Sequence, residues 1–238
     1  MAEFPHAEIA VIPYGTSCDF ARAFGENAYH TLRNIDKQVN AKTVHTDIID
    51  IGSKYAISFI AAGIEASAVL KFYEASRRYP NFVGKYGKII FTIAAFFAIF
   101  DERVTNQAYE VTIDGENYDG NYSSINIANS PCYGGNKTAV PMALPTNGYL
   151  DIIFSKSISR LRLMSVVLPY TQGKFHKHPD IFKYVRGKEI SIRSKSPLQM
   201  NTDGESYYDA NVDAKIKPSA VKVAVPDGLE YVLRWPQS

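Results

Sequence analysis

The sequence predicts an α+β chain: a short α/β lobe at the start, followed by a β-sandwich-like lobe with inserted helices. Three patterns carry that expectation. An apolar run, a glycine turn and a helix start open the chain at residues 9–25. Two helix-period stretches occupy 65–79 and 85–100, and from residue 107 short alternating runs are divided by Gly and Asn/Asp turns. The expected organisation is a first lobe over 1–42, a β-rich lobe over 43–206, and a return segment over 207–238 that packs on the first lobe.

Each element has a local reason. Residues 9–12 read as a strand, Pro13-Tyr14-Gly15-Thr16 as a turn, and a helix opens near Ser17 or Asp19. Thr16, Ser17 and Asp19 are all suited to capping that helix, and Gly25 ends it. Strand, glycine turn and helix start together make a small anion-binding arrangement. Residues 29–43 place Leu32, Ile35 and Val39 at helical spacing. From Thr43 the period shortens, and apolar runs flank Asp50-Ile51-Gly52-Ser53-Lys54, which reads as a hairpin. Two helices follow, separated by Pro80 and Gly84; the second is apolar round most of its girth and is expected as a buried core helix. Strands are expected at 109–113, 122–127, 150–154, 189–193, 198–202, 212–216 and 221–225, with Asp203-Gly204 as a two-residue turn.

Composition narrows the class. The 238 residues are 46% hydrophobic, 13% aromatic and 21% charged, a globular and not a disordered profile. Lys and Arg number 26 against 24 Asp and Glu, so a net charge of +2 gives no case for a nucleic-acid-binding polycation. Cys18 and Cys132 are too few for a disulfide framework or a zinc site, which points to a reducing compartment. The first 15 residues carry Glu3 and two prolines, unlike a signal peptide. The longest apolar run, 89–100, is 12 residues broken only by Thr92, short of the roughly 20 that span a bilayer. A cytoplasmic protein that at most touches a membrane surface is the expectation.

Three separated stretches carry chemistry. The first is Pro13-Tyr14-Gly15-Thr16-Ser17-Cys18-Asp19-Phe20-Ala21-Arg22. The second runs from Asn129-Ser130-Pro131-Cys132-Tyr133-Gly134-Gly135-Asn136 through Pro141-Met142-Ala143 to Asn147-Gly148-Tyr149-Leu150-Asp151. The third is Asp203-Gly204-Glu205. In order and spacing they resemble the bacterial diacylglycerol kinase family, which includes sphingosine and ceramide kinases. Cys18 stands where the family's first motif has Asn, and Asn147 where the second has Asp. The family's Gly-Gly-Asp-Gly-Thr phosphate loop has no counterpart in the dozen residues before Pro13. The chain therefore looks like a member lacking most of its nucleotide-binding lobe, with residues 1–42 an incomplete α/β remnant.

The resemblance implies ATP-dependent phosphorylation of a lipid hydroxyl, most plausibly diacylglycerol to phosphatidic acid, with Mg²⁺ on the phosphates. It implies nucleotide contact at Thr16 and Asp19, and a general base at Asp203 or Glu205, between which the sequence does not choose. A divalent cation would lie at Leu144, Asn147 and Tyr149. An amide at 147 weakens such a site, because hard cations prefer charged oxygens. Partners would be the lipid substrate and a peripheral membrane surface, with a homo-oligomer possible through an exposed sheet edge. Two further features weigh less. Residues 174–195 hold seven Lys or Arg with Phe175, Phe182 and Tyr184 interleaved, a stretch that reads first as a solvated face and second as a bilayer contact. His176 and His178 lack a third ligand for a metal. The alternative function is a noncatalytic lipid-binding or subunit-interaction module. A hydrolase built on Asp203 and Glu205 is disfavoured, since residues on opposite faces of a strand seldom flank one bond.

Overall fold

The computed structural model describes residues 7–14, 18–25, 28–134 and 137–234. The opening holds β1 (Ile9–Ala10), α1 (Asp19–Arg22), α2 (Ala28–Leu32) and α3 (Ile35–Val39). The hairpin β2 (Lys42–Asp50) and β3 (Tyr55–Ala56) leads into β4 (Phe59–Gly63), and α4 (Ile64–Arg78), α5 (Pro80–Ile99) and α6 (Glu102–Thr105) follow. Next come β5 (Gln107–Ile113), β6 (Glu116–Asn117), β7 (Gly120–Ala128), β8 (Leu150–Lys156) and α7 (Arg160–Thr171). Three strands complete the series: β9 (Phe182–Gly187), β10 (Glu189–Thr202) and β11 (Glu205–Val225).

The strands join in one 11-stranded sheet that folds over itself. β10 makes the fold: Ile190 to Arg193 pair with β5 and Met200 to Thr202 with β4, with a register shift between Arg193 and Leu198. β11 behaves alike, pairing with β10 along its first half and with β2 along its second, with a shift between Lys217 and Val221. Bulges of this kind bend a strand and increase its twist. The runs expected as separate strands at 189–193 and 198–202, and at 212–216 and 221–225, are thus two long bulged strands. β11 runs unbroken past residue 206.

The folded sheet encloses one core, with Ile60, Ile125, Ile127, Leu150 and Ile152 fully covered. The opposite face of β4, β7 and β8 is covered by Ile99 of α5 and by Leu163, Val166 and Tyr170 of α7. Leu150 to Ser155 are therefore buried without alternation, as a strand covered on both faces must be. A third cluster sets Ala21, Phe24 and Leu32 against Val221, Val223 and Val225, where β1 adds in parallel to β11.

Several expectations are corrected. Residues 29–43 are not one helix. Asn34 takes an extended conformation and its side chain accepts a hydrogen bond from the Lys37 N–H at 3.0 Å, which starts α3 afresh. Only Leu32 of the expected apolar face is buried; Ile35 and Val39 are 65% and 78% exposed. α1 has only four residues and Cys18 makes no side-chain cap bond to it, while the turn expected before it at 15–17 lies outside the described residues. Two helices do form with the break at Tyr79, but Pro80 already opens α5, so 80–84 is helical and a bend falls beyond Gly84, where Tyr86 is non-helical beside Gly87. α5 is also not a buried core helix, since much of its apolar surface faces outward. α7 and β9 had no sequence signal. Leu161 and Leu168 face solvent and Pro169 sits inside α7, which blurs its period. Among the described residues no single helix is long and apolar enough to cross a membrane.

Candidate active site

Asp203 and Gly204 both have positive φ, 47° and 103°, and close the hairpin between paired Thr202 and Glu205. That is the backbone of a two-residue hairpin turn, and Asp tolerates the left-handed region better than most residues. The Asp203 carboxylate is fully engaged. Its Oδ1 accepts from the N–H groups of Ser58 (3.0 Å) and Phe59 (2.9 Å), and its Oδ2 from Ile57 (2.5 Å). Crowding by surrounding atoms pushes its pKa up, the three N–H groups pull it down, and the charge of Glu205 adds to the rise. Glu205 is exposed, and its carboxylate makes no hydrogen bond or ion pair among the described residues.

The same three residues are gripped from the other side by the second motif. The Ser58 carbonyl accepts from the N–H groups of Asn129 (2.8 Å) and Ser130 (3.1 Å). The buried Asn129 amide donates to the carbonyls of Asp47 (2.8 Å) and Ile57 (2.9 Å). Tyr133 stacks on Phe59 with ring centroids 4.6 Å apart, and its N–H donates to the Lys137 carbonyl at 3.2 Å.

Arg234 links the first motif to the second, its guanidinium donating to the Arg22 carbonyl at 2.9 Å and its backbone N–H to the Pro141 carbonyl at 3.2 Å, and Lys137 and Cys132 feel the charge of Asp19. Burial lowers the Lys137 pKa, against the pull of Glu65 and Asp19. Cys18 has a left-handed backbone (φ 49°), which Asn adopts more readily than Cys. Asp203 and the second motif both hold residues 57–59; Thr16 lies outside the described residues.

Beside Phe59 a cavity of about 110 Å³ opens between the sheet and the helices. Val69 of α4, Phe91 and Ala95 of α5 and Val166 of α7 wall it, and Lys137 and Glu65 are its charged lining. Gly63 sets this geometry: with φ 89°, a Cβ there would sit 2.3 Å from the Ser123 carbonyl oxygen, so only glycine lets β4 turn directly into α4. The turn brings Glu65 over β7, where its Oε1 accepts from the Asn126 amide at 2.9 Å. The same amide donates to the Tyr170 hydroxyl at 2.7 Å, and that hydroxyl is hydrogen-bonded to Tyr133. Burial pushes the Glu65 pKa up, and the Asn126 hydrogen bond only partly offsets it.

The loop expected to hold a cation is satisfied internally. The Leu144 carbonyl accepts from Thr146 (2.8 Å) and Asn147 (3.2 Å), and the Asn147 side-chain oxygen accepts from the Tyr149 N–H (2.9 Å). Asp47 pins the loop, accepting from the N–H groups of Gly148 and Ser219, each at 2.7 Å. Among the described residues no group of three His, Cys, Asp or Glu is placed to hold a metal. Of the three aromatics in residues 174–195, Tyr184 is exposed. Phe175 and Phe182 are buried beside Tyr170, while Arg186 pairs with buried Asp151 and Arg193 with Asp213.

A β-sandwich-like body with this turn and cavity defines a class, and comparison with known proteins agrees. Residues 58–225 match the family model described as the YegS C-terminal NAD kinase beta sandwich-like domain, so the chain belongs to that family, the C-terminal domain of lipid kinases. Two Staphylococcus aureus proteins named "Putative lipid kinase", from strains bovine RF122 / ET3-1 and MSSA476, are each 22% identical over 221 residues, 93% of this chain and 70% of theirs. A crystal structure titled as a putative diacylglycerol kinase from Bacillus anthracis str. Sterne matches at TM-score 0.67 and 18% identity, covering 92% of this chain and 69% of that one. A second diacylglycerol kinase structure from the same strain matches at 0.64 and 17%, covering 94% and 68%. These likenesses show a shared fold.

Glu65, Asn126, Lys137 and Tyr170 are the site residues that motif reading missed. A signal existed for Glu65, the only acid between Asp50 and Glu74 and set within an apolar run.

Proposed function

We propose that this chain belongs to an enzyme that transfers phosphate from ATP to a lipid hydroxyl, diacylglycerol being the best-fitting substrate. The observation that carries the reading is the apolar cavity placed beside the Asp203–Glu205 turn through Phe59. Acyl carbons enter the cavity among Val69, Phe91, Ala95 and Val166, and the hydroxyl end stays near the turn.

Of the two carboxylates, Glu205 is the better base. Asp203 already accepts three backbone hydrogen bonds, whereas Glu205 has its lone pairs available. Glu205 takes the hydroxyl proton, which contributes about 10²–10⁴-fold. Asp203 is a positioning residue that fixes the turn against residues 57–59. The nucleotide approaches along the first motif, at Thr16 and Asp19, with Lys137 supplying positive charge where that motif meets the cavity. Phosphoryl transfer is mostly positioning and electrostatic stabilisation, which suits such a division of roles. Mg²⁺ comes as part of the nucleotide complex, and no step is drawn through residues 144–149.

A noncatalytic lipid-binding module is the second reading. The internally satisfied 144–149 loop and Cys18 in place of Asn favour it. Labelled ATP with diacylglycerol or a sphingoid base in mixed micelles separates the two, using this chain and a form extended upstream. Transfer to diacylglycerol by either form supports the kinase; lipid binding by both forms with transfer by neither supports the module.

A further inference from the structure

The cavity accounts for only one side of α5. On the other side Ile89, Ile93, Phe96, Phe97 and Phe100 recur at i, i+4, i+7, i+8 and i+11, a single stripe, and they are 42–59% exposed. Phe82, before the bend, is 59% exposed, and Leu161 and Leu168 on α7 are 82% and 65% exposed. Scattered apolar residues on a surface need no explanation, but a periodic stripe of this extent marks an interaction site.

We propose that this outer face of α5 docks on an anionic lipid bilayer and lies in its interface without crossing it. The inference rests on the lipid-kinase reading and names the surface through which that enzyme meets its substrate. Three observations choose a bilayer over a protein partner. First, residues 80–99 contain two lysines and no acid. Lys85 within this range and Arg77 and Arg78 just before it are exposed and form no ion pair among the described residues. The flanking acids along the chain are Glu74, exposed on α4, and Asp101 and Glu102, which are already paired with Lys71, Arg103 and Arg160. A second copy of the same face would set like charges together, whereas anionic headgroups would neutralise them.

Second, Pro80–Gly87 and Ile89–Ile99 meet at 97°, and neither arm is long enough to span a bilayer. Short apolar segments rimmed by Lys and Arg lie in the interfacial plane. Third, the inner face of the same helix supplies Phe91 and Ala95 to the cavity. One helix thus separates the docking face from the substrate cavity, and a lipid can pass from the leaflet into the protein without exposing its chains to water.

The test is co-sedimentation with vesicles of phosphatidylcholine containing phosphatidylglycerol, and with phosphatidylcholine alone, in the absence of ATP. The wild-type chain is expected to bind the anionic vesicles. The double variant Phe96→Ser, Phe97→Ser is expected to lose about tenfold or more of that binding, since two large apolar side chains no longer leave water. Its thermal unfolding should be unchanged because both rings are exposed. Arg77→Glu with Arg78→Glu should remove the preference for the anionic vesicles. Undiminished vesicle binding by the Phe double variant overturns the proposal. So does a wild-type dimer that the variant converts to monomer with vesicle binding intact, which would assign the face to contact between copies. If no phosphate transfer is found in any form but vesicle binding and its loss in the variant persist, the kinase reading fails and the docking face stands.

Discussion

The folded sheet and the helical layer laid over it treat apolar side chains in opposite ways. Ile60, Ile125 and Ile152 in the sheet are completely covered, whereas Ile89 and Phe97 in α5 are each 59% exposed. Just beyond β7, buried Asn129 is held by the carbonyls of Asp47 and Ile57. The helical layer instead keeps Glu65 at the wall of a cavity, facing Lys137 of the segment between β7 and β8. The difference teaches where stability and function reside. The sheet carries the burial that holds the fold, which leaves the helices free to enclose a ligand and to face a partner.

That contrast can be broken by substitutions on its two sides. The largest stability effect should come from Ile152→Ala, which removes about 2–5 kcal/mol of packing inside the sheet. Ile93→Ala on the outer stripe should stay within about 0.5 kcal/mol. Urea unfolding midpoints measure both, and equal losses would erase the distinction. Asp203→Asn comes next, at about 1–3 kcal/mol, because an amide oxygen replaces a carboxylate that satisfies three N–H groups of residues 57–59.

Glu65→Gln gives the smallest effect, and its sign depends on pH. Burial raises the folded-state pKa of Glu65 above the unfolded value, so the folded state holds the proton more tightly. Its contribution to stability is therefore full below the unfolded value of about 4.5 and is lost as pH rises through the folded one. The Gln variant mimics the protonated acid at every pH. It should match wild type near pH 4 and unfold at a higher temperature than wild type at pH 8. Equal midpoints at pH 8 would show that Glu65 is not desolvated, contrary to its place in the cavity wall.

Much of the sheet was legible in the sequence because turn chemistry is local. Asp203-Gly204 and the Asp50 hairpin fall where the residue types place them, with positive φ at Asp203 and Gly52. The bulges that fuse paired runs into β10 and β11 were not legible, since a register shift depends on which strand lies alongside. The exposure of α5 was hidden for a related reason. A helix apolar all round should be buried, and only the packed structure reveals that one face lines a cavity while the other has no cover.

Asp203 and Asn129 both hold residues 57–59, so the second and third motifs meet there, though Asp203 and Glu205 could not be told apart by residue type. What separates them is three backbone N–H groups contributed from almost 150 residues away.

The division of labour between these two carboxylates is tested most directly by Glu205→Gln, assayed for phosphate transfer to diacylglycerol at saturating lipid in whichever form of the chain turns over, with thermal unfolding measured on the same sample. Transfer should fall by about 10²–10⁴-fold while the unfolding midpoint stays at the wild-type value. A variant that transfers phosphate at the wild-type rate would contradict the assignment of Glu205 as the base.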